Sequence, residues 1–100
     1  MKYHVKFDCM GMKLSESESA AMRDLVGKQI EHIEKSGKLV DGGTLLGTRS
    51  GYFILDVAKP SDILGLLGRV FGENFNIEVH PVISFKEIGE YMMEEYKKAA

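Results

Sequence analysis

The chain has 100 residues, of which 44% are hydrophobic and 28% charged, and its formal net charge is −2. This length predicts one domain with one core, and the composition is typical of a folded globular chain rather than a disordered one. We expect no nucleic-acid partner, because the net charge is slightly negative, and no membrane partner, because no stretch approaches the roughly 20 apolar residues of a spanning helix.

The first residues carry signals about compartment. A single cysteine, Cys9, excludes an internal disulfide and a four-thiolate metal site, and it fits a reducing environment. Cys9 ends a predicted strand on the face expected to be buried, so a packing role is expected rather than a nucleophile. A turn-rich stretch containing Gly11 follows. The N-terminal residues alternate charged and apolar side chains and lack the apolar core of a signal peptide, so the sequence predicts a cytoplasmic protein.

A strand and a helix are predicted next in chain order. Residues 3–9 alternate between apolar and polar side chains, and this period of two indicates a half-buried strand. Ser15 and Glu18 form a capping-box pattern at the start of an amphipathic helix over residues about 16–36. Gly37 stands where a left-handed C-cap is expected.

The middle of the chain predicts a β-hairpin. Residues 39–46 form a weaker strand, in which Gly42 and Gly43 suggest a bulge or another irregularity. Residues 48–51 are predicted to be the turn, and residues 52–57 form a clear strand of aromatic and branched side chains.

The last third predicts a helix, a strand and a further helix. Residues 60–74 form the second helix and residues 75–83 the fourth strand. Ser84 and Glu87 repeat the capping-box pattern before a third helix over residues about 85–97. The apolar stripe of this helix is Phe85, Ile88, Met92 and Tyr96.

The order β-α-β-β-α-β predicts a ferredoxin-like α+β sandwich, with an antiparallel sheet in the order 4-1-3-2 and both main helices on one face. We assign residues 1–83 to this domain and residues 84–100 to a C-terminal helical extension. The two main helices already occupy the covered face of the sheet, and Pro81 limits pairing near the end of the fourth strand. The third helix is therefore expected to cross to a partner subunit.

The uncovered face of the sheet is predicted to be largely polar. Its members are His4, Lys6, Asp8, Tyr52, Ile54, Asp56, Asn76, Glu78 and His80. The expected register pairs Lys6 with Glu78 and His4 with His80, and on the other side it pairs Lys6 with Ile54, which would set His4 beside Asp56. This face is either the solvated side of a two-layer domain or the wall of a cavity closed by a second subunit.

Residues 36–82 resemble the muconolactone isomerase family. The shared features are an SGK helix exit, a glycine-bearing turn, an FILDV strand, an SDILGLL helix and a final IEVHPV where the family has IEVTPL. The resemblance implies a dimeric α+β barrel, in which two such sheets pack face to face. It also implies an enzyme that moves a proton within an unsaturated lactone without a cofactor.

These considerations predict an isomerase-like enzyme that is a homodimer or higher homo-oligomer, needs no cofactor and moves a proton alpha to a carbonyl in a small molecule. The alternative is a non-catalytic barrel that binds a small ligand or acts as an assembly or regulatory module. The predicted catalytic residues are His4, His80, Asp56 and Glu78, and the predicted substrate-binding residues are Lys6, Tyr52 and Arg49.

Histidine is the natural acid-base group near neutral pH, and Asp56 is expected to orient or charge His4. Two histidines and a carboxylate also make a facial metal triad possible, but no H-x-H or H-x₃-H spacing supports it. No metal site is therefore predicted.

Overall fold

The computed structural model describes residues 1–9 and 14–99. Its elements are β1 (Lys2–Cys9), α1 (Glu16–Lys35), β2 (Leu39–Leu45), β3 (Ser50–Asp56), α2 (Ser61–Asn74), β4 (Phe75–Val82) and α3 (Phe85–Ala99). The four strands form one antiparallel sheet in the order β2-β3-β1-β4, which confirms the predicted order read from the opposite edge. The turn predicted around Gly11 lies outside the described residues.

Both ends of α1 follow the sequence signals. The Ser15 hydroxyl accepts a hydrogen bond from the Glu18 amide at 3.2 Å, and the Ser15 amide donates to the Glu18 carboxylate at 3.2 Å. Hydrogen bonding to Ser15 holds the pKa of the Glu18 carboxyl below its ordinary value. Gly37 adopts φ +75°, the left-handed conformation that ends helices at low steric cost. The capping box and the glycine cap are therefore confirmed.

The hairpin turn lies earlier than residues 48–51, where it was predicted. The chain turns at residues 46–49, and Ser50 and Gly51 already pair with β2. Gly47 has φ +84°, so it is the glycine that supplies the left-handed conformation of the turn. The predicted turn included Gly51 and left out Gly47.

The irregularity in β2 also lies earlier than predicted. The ladder between β2 and β3 shifts register between Leu39 and Asp41, which leaves Val40 as an extra residue. Gly42 and Gly43 follow in regular pairs. The strand bends just before the glycines rather than at them.

The pairing of β1 with β4 confirms one predicted register. Lys6 lies opposite Glu78, and His4 lies opposite His80. The pairing of the same strand with β3 differs from the prediction by two residues.

Lys6 lies opposite Tyr52 rather than Ile54. The observed register sets Phe7 opposite Gly51, and the Phe7 ring occupies the space that a Cβ at Gly51 would need. The absent side chain of Gly51 thus lets the large ring settle over β3. This contact favours the observed register over the predicted one.

An aromatic cluster fills the centre of the core. Phe71 of α2 packs against Phe7, Phe53 and Phe75 at ring-centroid distances of 5.1, 5.5 and 5.0 Å. Tilted and edge-to-face rings at these distances are the favourable arrangements for aromatic pairs. The remaining buried hydrophobic residues are Tyr3, Val5, Ile33, Leu55, Val57, Ile63 and Leu67.

A break in α2 ties the two main helices together. Gly68 has φ +64° and ψ −173°, which interrupts the helical hydrogen bonding. The Gln29 side chain of α1 donates a hydrogen bond of 2.6 Å to the Leu66 carbonyl. An acceptor freed near the break is therefore satisfied from the neighbouring helix.

Helix α3 begins and ends close to its prediction but buries no residue. The Ser84 hydroxyl accepts from the Glu87 amide at 3.0 Å, as the capping pattern predicts. Phe85 is 95% exposed and Tyr96 is 75% exposed, so the apolar stripe lacks cover within one chain.

The Cα radius of gyration is 17.1 Å, against about 13 Å for a compact domain of this length. Among the described residues, no helix is long and apolar enough to cross a membrane.

The register depends on Gly51, and this gives a first prediction. Replacing Gly51 with Ala places a methyl group against the Phe7 ring and the Gly43 carbonyl, so we expect the free energy of unfolding to fall by about 1–3 kcal/mol. Gly65→Ala is the control, because a Cβ there meets nothing within 4 Å and Ala favours a helix by about 1 kcal/mol. Urea unfolding measures both. Equal stability of Gly51→Ala and the wild type would contradict the packing argument.

Candidate functional site

The sheet face opposite α1 and α2 gathers most of the predicted site residues. We call it the open face. Because Tyr3, Val5 and Phe7 are buried on the covered side, the residues between them must point the other way. The open face comprises Lys2, His4, Lys6, Asp8, Tyr52, Ile54, Asp56, Asn76, Glu78 and His80.

His4 is held by an aromatic neighbour. Its imidazole ring stacks on the Tyr52 ring, with a centroid distance of 5.7 Å and an interplanar angle of 9°. Both side chains are half-buried. This contact crosses from β1 to β3 diagonally, since the residue directly opposite His4 is Ile54. The stack restricts the imidazole while leaving part of it accessible to a bound molecule.

Glu78 and His80 form the second polar group on the open face. The Glu78 carboxylate lies 3.9 Å from His80 Nε2, an ion-pair distance when the imidazole is protonated. Lys6 lies opposite Glu78 in the ladder, but within residues 1–9 and 14–99 the two side chains form no ion pair. Glu78 therefore faces His80, and the exposed Lys6 ammonium is available to a ligand.

Asp56 does not occupy its predicted place. It lies opposite Lys2 rather than beside His4, and its Oδ1 is 3.2 Å from the Met1 amine. The two-residue difference in register moves the carboxylate toward the end of the sheet. The expectation that Asp56 sits beside His4 and orients it is therefore corrected.

Arg49 lies far from the two histidines. The Cys9 amide donates to the Arg49 carbonyl at 2.8 Å, which places Arg49 beside the last residue of β1. At about 3.3 Å per residue, the strand from His4 to Cys9 spans about 16 Å. Arg49 also lines a cavity on the helix-covered side of the sheet. The structure thus gathers His4, Lys6, Tyr52, Glu78 and His80 and leaves Arg49 outside that group.

In the described part of the chain, no three His, Cys, Asp or Glu side chains are grouped so that they could hold a metal ion. The facial triad considered from the sequence required two histidines and a carboxylate. Of the carboxylates on the open face, Asp56 contacts the Met1 amine.

The order of the strands and the helices that connect them are similar to those of a solved structure. The chain has a muconolactone isomerase-like fold. It superposes on a crystal structure of muconolactone isomerase with a TM-score of 0.69 and 15% sequence identity, covering 84% of this chain and 90% of that one. At this identity the likeness establishes the fold alone. No family model matches the sequence, and no curated protein is similar to it at a significant level.

Sequence reasoning missed a cavity on the other side of the muconolactone isomerase-like sheet. Its volume is about 570 Å³, and it lies between α1 and the strands. Met22, Val26 and Ile30 belong to the apolar face of the amphipathic helix α1, and they are half-buried and line this space, although Val26 and Ile30 also pack against the core. Periodicity shows which face of a helix is apolar, but not whether that face closes on the sheet.

The stack of His4 on Tyr52 gives a second prediction. A double-mutant cycle of His4→Ala and Tyr52→Ala should give a coupling energy of about 0.5–1.5 kcal/mol, the usual range for paired rings. Thermal or urea unfolding of the four proteins measures it. The control cycle combines His4→Ala with Tyr91→Ala, because Tyr91 is 60% exposed on α3. The effects of these two substitutions should be additive. Additive effects in the His4 and Tyr52 cycle would show that the stack contributes nothing.

Proposed function

We propose that this protein is a homo-oligomeric, cofactor-independent isomerase that moves a proton alpha to a carbonyl in an unsaturated lactone or related small molecule. The observation that carries the proposal is the β1–β4 register, which sets His4 directly opposite His80 on a face that the protein's own helices leave open. The muconolactone isomerase-like fold supports the same reaction class.

The chemistry requires one base and one way to hold the substrate. A neutral imidazole, from His4 or His80, takes the proton from the carbon alpha to the carbonyl, and the electron pair moves onto the carbonyl oxygen. The imidazolium then returns that proton to a carbon further along the conjugated system, so the substrate is isomerised with no net change in atoms or electrons.

The neighbouring side chains have distinct roles in this scheme. Stacking on Tyr52 holds the His4 ring in place, and the Glu78 carboxylate stabilises the His80 imidazolium. The exposed Lys6 ammonium, which has no ion-pair partner in the described chain, binds a substrate carboxylate.

A second copy of the chain completes the site. In a single chain Glu78 and His80 are exposed to solvent, and water would weaken electrostatic stabilisation of an enolate. Packing of two open faces against each other would exclude that water and enclose the histidines. It would also bury Tyr52 and Ile54, which are already half-covered.

Helix α3 supports self-association independently. Its apolar stripe is uncovered, and each chain also carries an apolar groove of about 610 Å³ between α2 and β4. The groove includes Leu64, which is 73% exposed, and Val79, which is 39% exposed. An exchange of α3 between two copies would cover one stripe and one groove in each, which is the reciprocal pattern of a two-fold interface.

Removal of α3 gives a third prediction. For a chain ending at Ile83, the dissociation constant of the oligomer should be at least 100-fold higher than for the full chain. The reason is that each buried apolar side chain contributes about 1.5–3 kcal/mol before ordering costs. Sedimentation across micromolar concentrations measures the dissociation constant. Leu64→Glu should weaken the same association from the groove side, and Leu46→Glu, at an exposed turn residue, should not. An unchanged dissociation constant on truncation would exclude the exchange.

The two histidines give a fourth prediction. His4→Gln and His80→Gln should each lower turnover by about 10²–10⁴-fold, the usual contribution of acid-base catalysis. The third histidine, His32, is exposed on α1, and His32→Gln is the matched control. Solvent deuterium incorporation into muconolactone and two other carboxylated unsaturated lactones, followed by NMR, measures proton transfer. Absence of exchange with all three, or full activity in both variants, would contradict the proposal.

A non-catalytic ligand-binding or assembly module is the second candidate. It is favoured by Ile54, an apolar side chain at the position directly opposite His4 where the prediction placed a carboxylate. An apolar neighbour suits a packed interface rather than proton transfer. In this case the chain still self-associates through the open face, but no lactone exchanges deuterium.

A further inference from the structure

The cavity between α1 and the sheet is built by uneven attachment of α1. The C-terminal half of this helix is anchored by the fully buried Ile33 and by the hydrogen bond from Gln29 to α2. Toward the N-terminal half, Met22 and Val26 are only half-buried. A space of about 570 Å³ remains between this part of α1 and the strands.

The inner walls of this cavity are apolar. Phe7 and Phe75 come from the strands, and Met22, Val26 and Ile30 come from α1. A volume of this size lies within the range of about 300–1,000 Å³ typical of small-molecule sites, which are mostly apolar with a few polar groups that orient the ligand. These walls suit an aliphatic or aromatic chain.

The charged residues of the cavity share one sign. Arg23 and Arg49 line it and are exposed, so their guanidinium groups stand on its solvent side. Among the described residues, none of those that line the cavity is acidic. Within residues 1–9 and 14–99, neither arginine is paired with a carboxylate. Two unpaired guanidinium groups beside an apolar space attract an anionic head attached to an apolar body.

We infer that this cavity binds a small amphipathic carboxylate, with its apolar chain between α1 and the sheet and its carboxylate on Arg23 and Arg49. The inference does not depend on catalysis at the open face. The proposed site lies on the opposite side of the sheet and is formed by different residues.

Cys9 provides a direct probe, because this sole cysteine of the chain is half-buried and lines the cavity. Its alkylation by iodoacetamide is timed in the full-length protein with increasing octanoate. Octanoate should slow alkylation at least fivefold and saturably. Octanol, which has the same chain length without the charge, should require at least tenfold higher concentration for the same protection.

Two sets of variants locate the binding. Arg23→Gln with Arg49→Gln should weaken octanoate protection at least tenfold and leave octanol unaffected. The matched control is Lys28→Gln with Lys35→Gln. It also removes two positive charges, at two positions of α1 that do not line the cavity. Gly27→Leu adds a side chain to the lining at a position with free space, and it should reduce protection by both compounds. Gly65→Leu, on α2, should not.

Three results would overturn the inference. They are no protection of Cys9 by octanoate up to its solubility limit, equal protection by octanol and octanoate, and equal losses in the arginine and lysine double variants. His4→Gln separates this site from the open face. Octanoate protection should persist in that variant, and its loss would place the anion on the histidine side instead.

Discussion

The contact of Phe71 with Phe7, Phe53 and Phe75 determines which side of the sheet is covered. One ring from α2 meets rings from β3, β1 and β4 at centroid distances of 5.0–5.5 Å. Side chains alternate along a strand, so burying Phe7 and Phe53 forces their neighbours to the opposite face. The proximity of His4, His80 and Glu78 is thus a consequence of hydrophobic packing on the other side of the same strands.

The same packing leaves two unlike surfaces. On the open face, polar groups are arranged by strand register and partly held by the stack of His4 on Tyr52. On the covered face, α2 buries Ile63, Leu67 and Phe71, whereas α1 buries Ile33 and is joined to α2 by the hydrogen bond from Gln29. The break at Gly68 leaves a carbonyl that Gln29 satisfies, and Met22 and Val26, nearer the start of α1, are only half-buried. One side of the sheet therefore offers acid-base groups, and the other offers an apolar space with cations at its rim.

The size of the domain explains why self-association is central to its proposed function. Chains of this length bury a modest fraction of their surface, so further apolar burial stabilises them appreciably. Here α3 carries large exposed side chains, and the groove between α2 and β4 presents others. Closure of the open faces and exchange of α3 would satisfy both. It would also create the water-poor environment that proton abstraction alpha to a carbonyl needs.

Local patterns determined the element order, the cap of α1 and the facing of β1, because alternation and capping act over a few neighbouring residues. The juxtaposition of His4 with His80 was also predicted correctly, although it joins strands that are far apart in the sequence. The sheet order was predicted correctly as well, since crossover handedness leaves few arrangements. Tertiary contacts decided the rest. The fit of Phe7 over Gly51 favours the β1–β3 register that moves Asp56 away from His4. The left-handed Gly47 sets the hairpin turn, and the hydrogen bond from the Cys9 amide to the Arg49 carbonyl holds Arg49 beside the end of β1 rather than at the histidines. Each of these depends on the shape and room around a residue, which its position in the sequence does not specify.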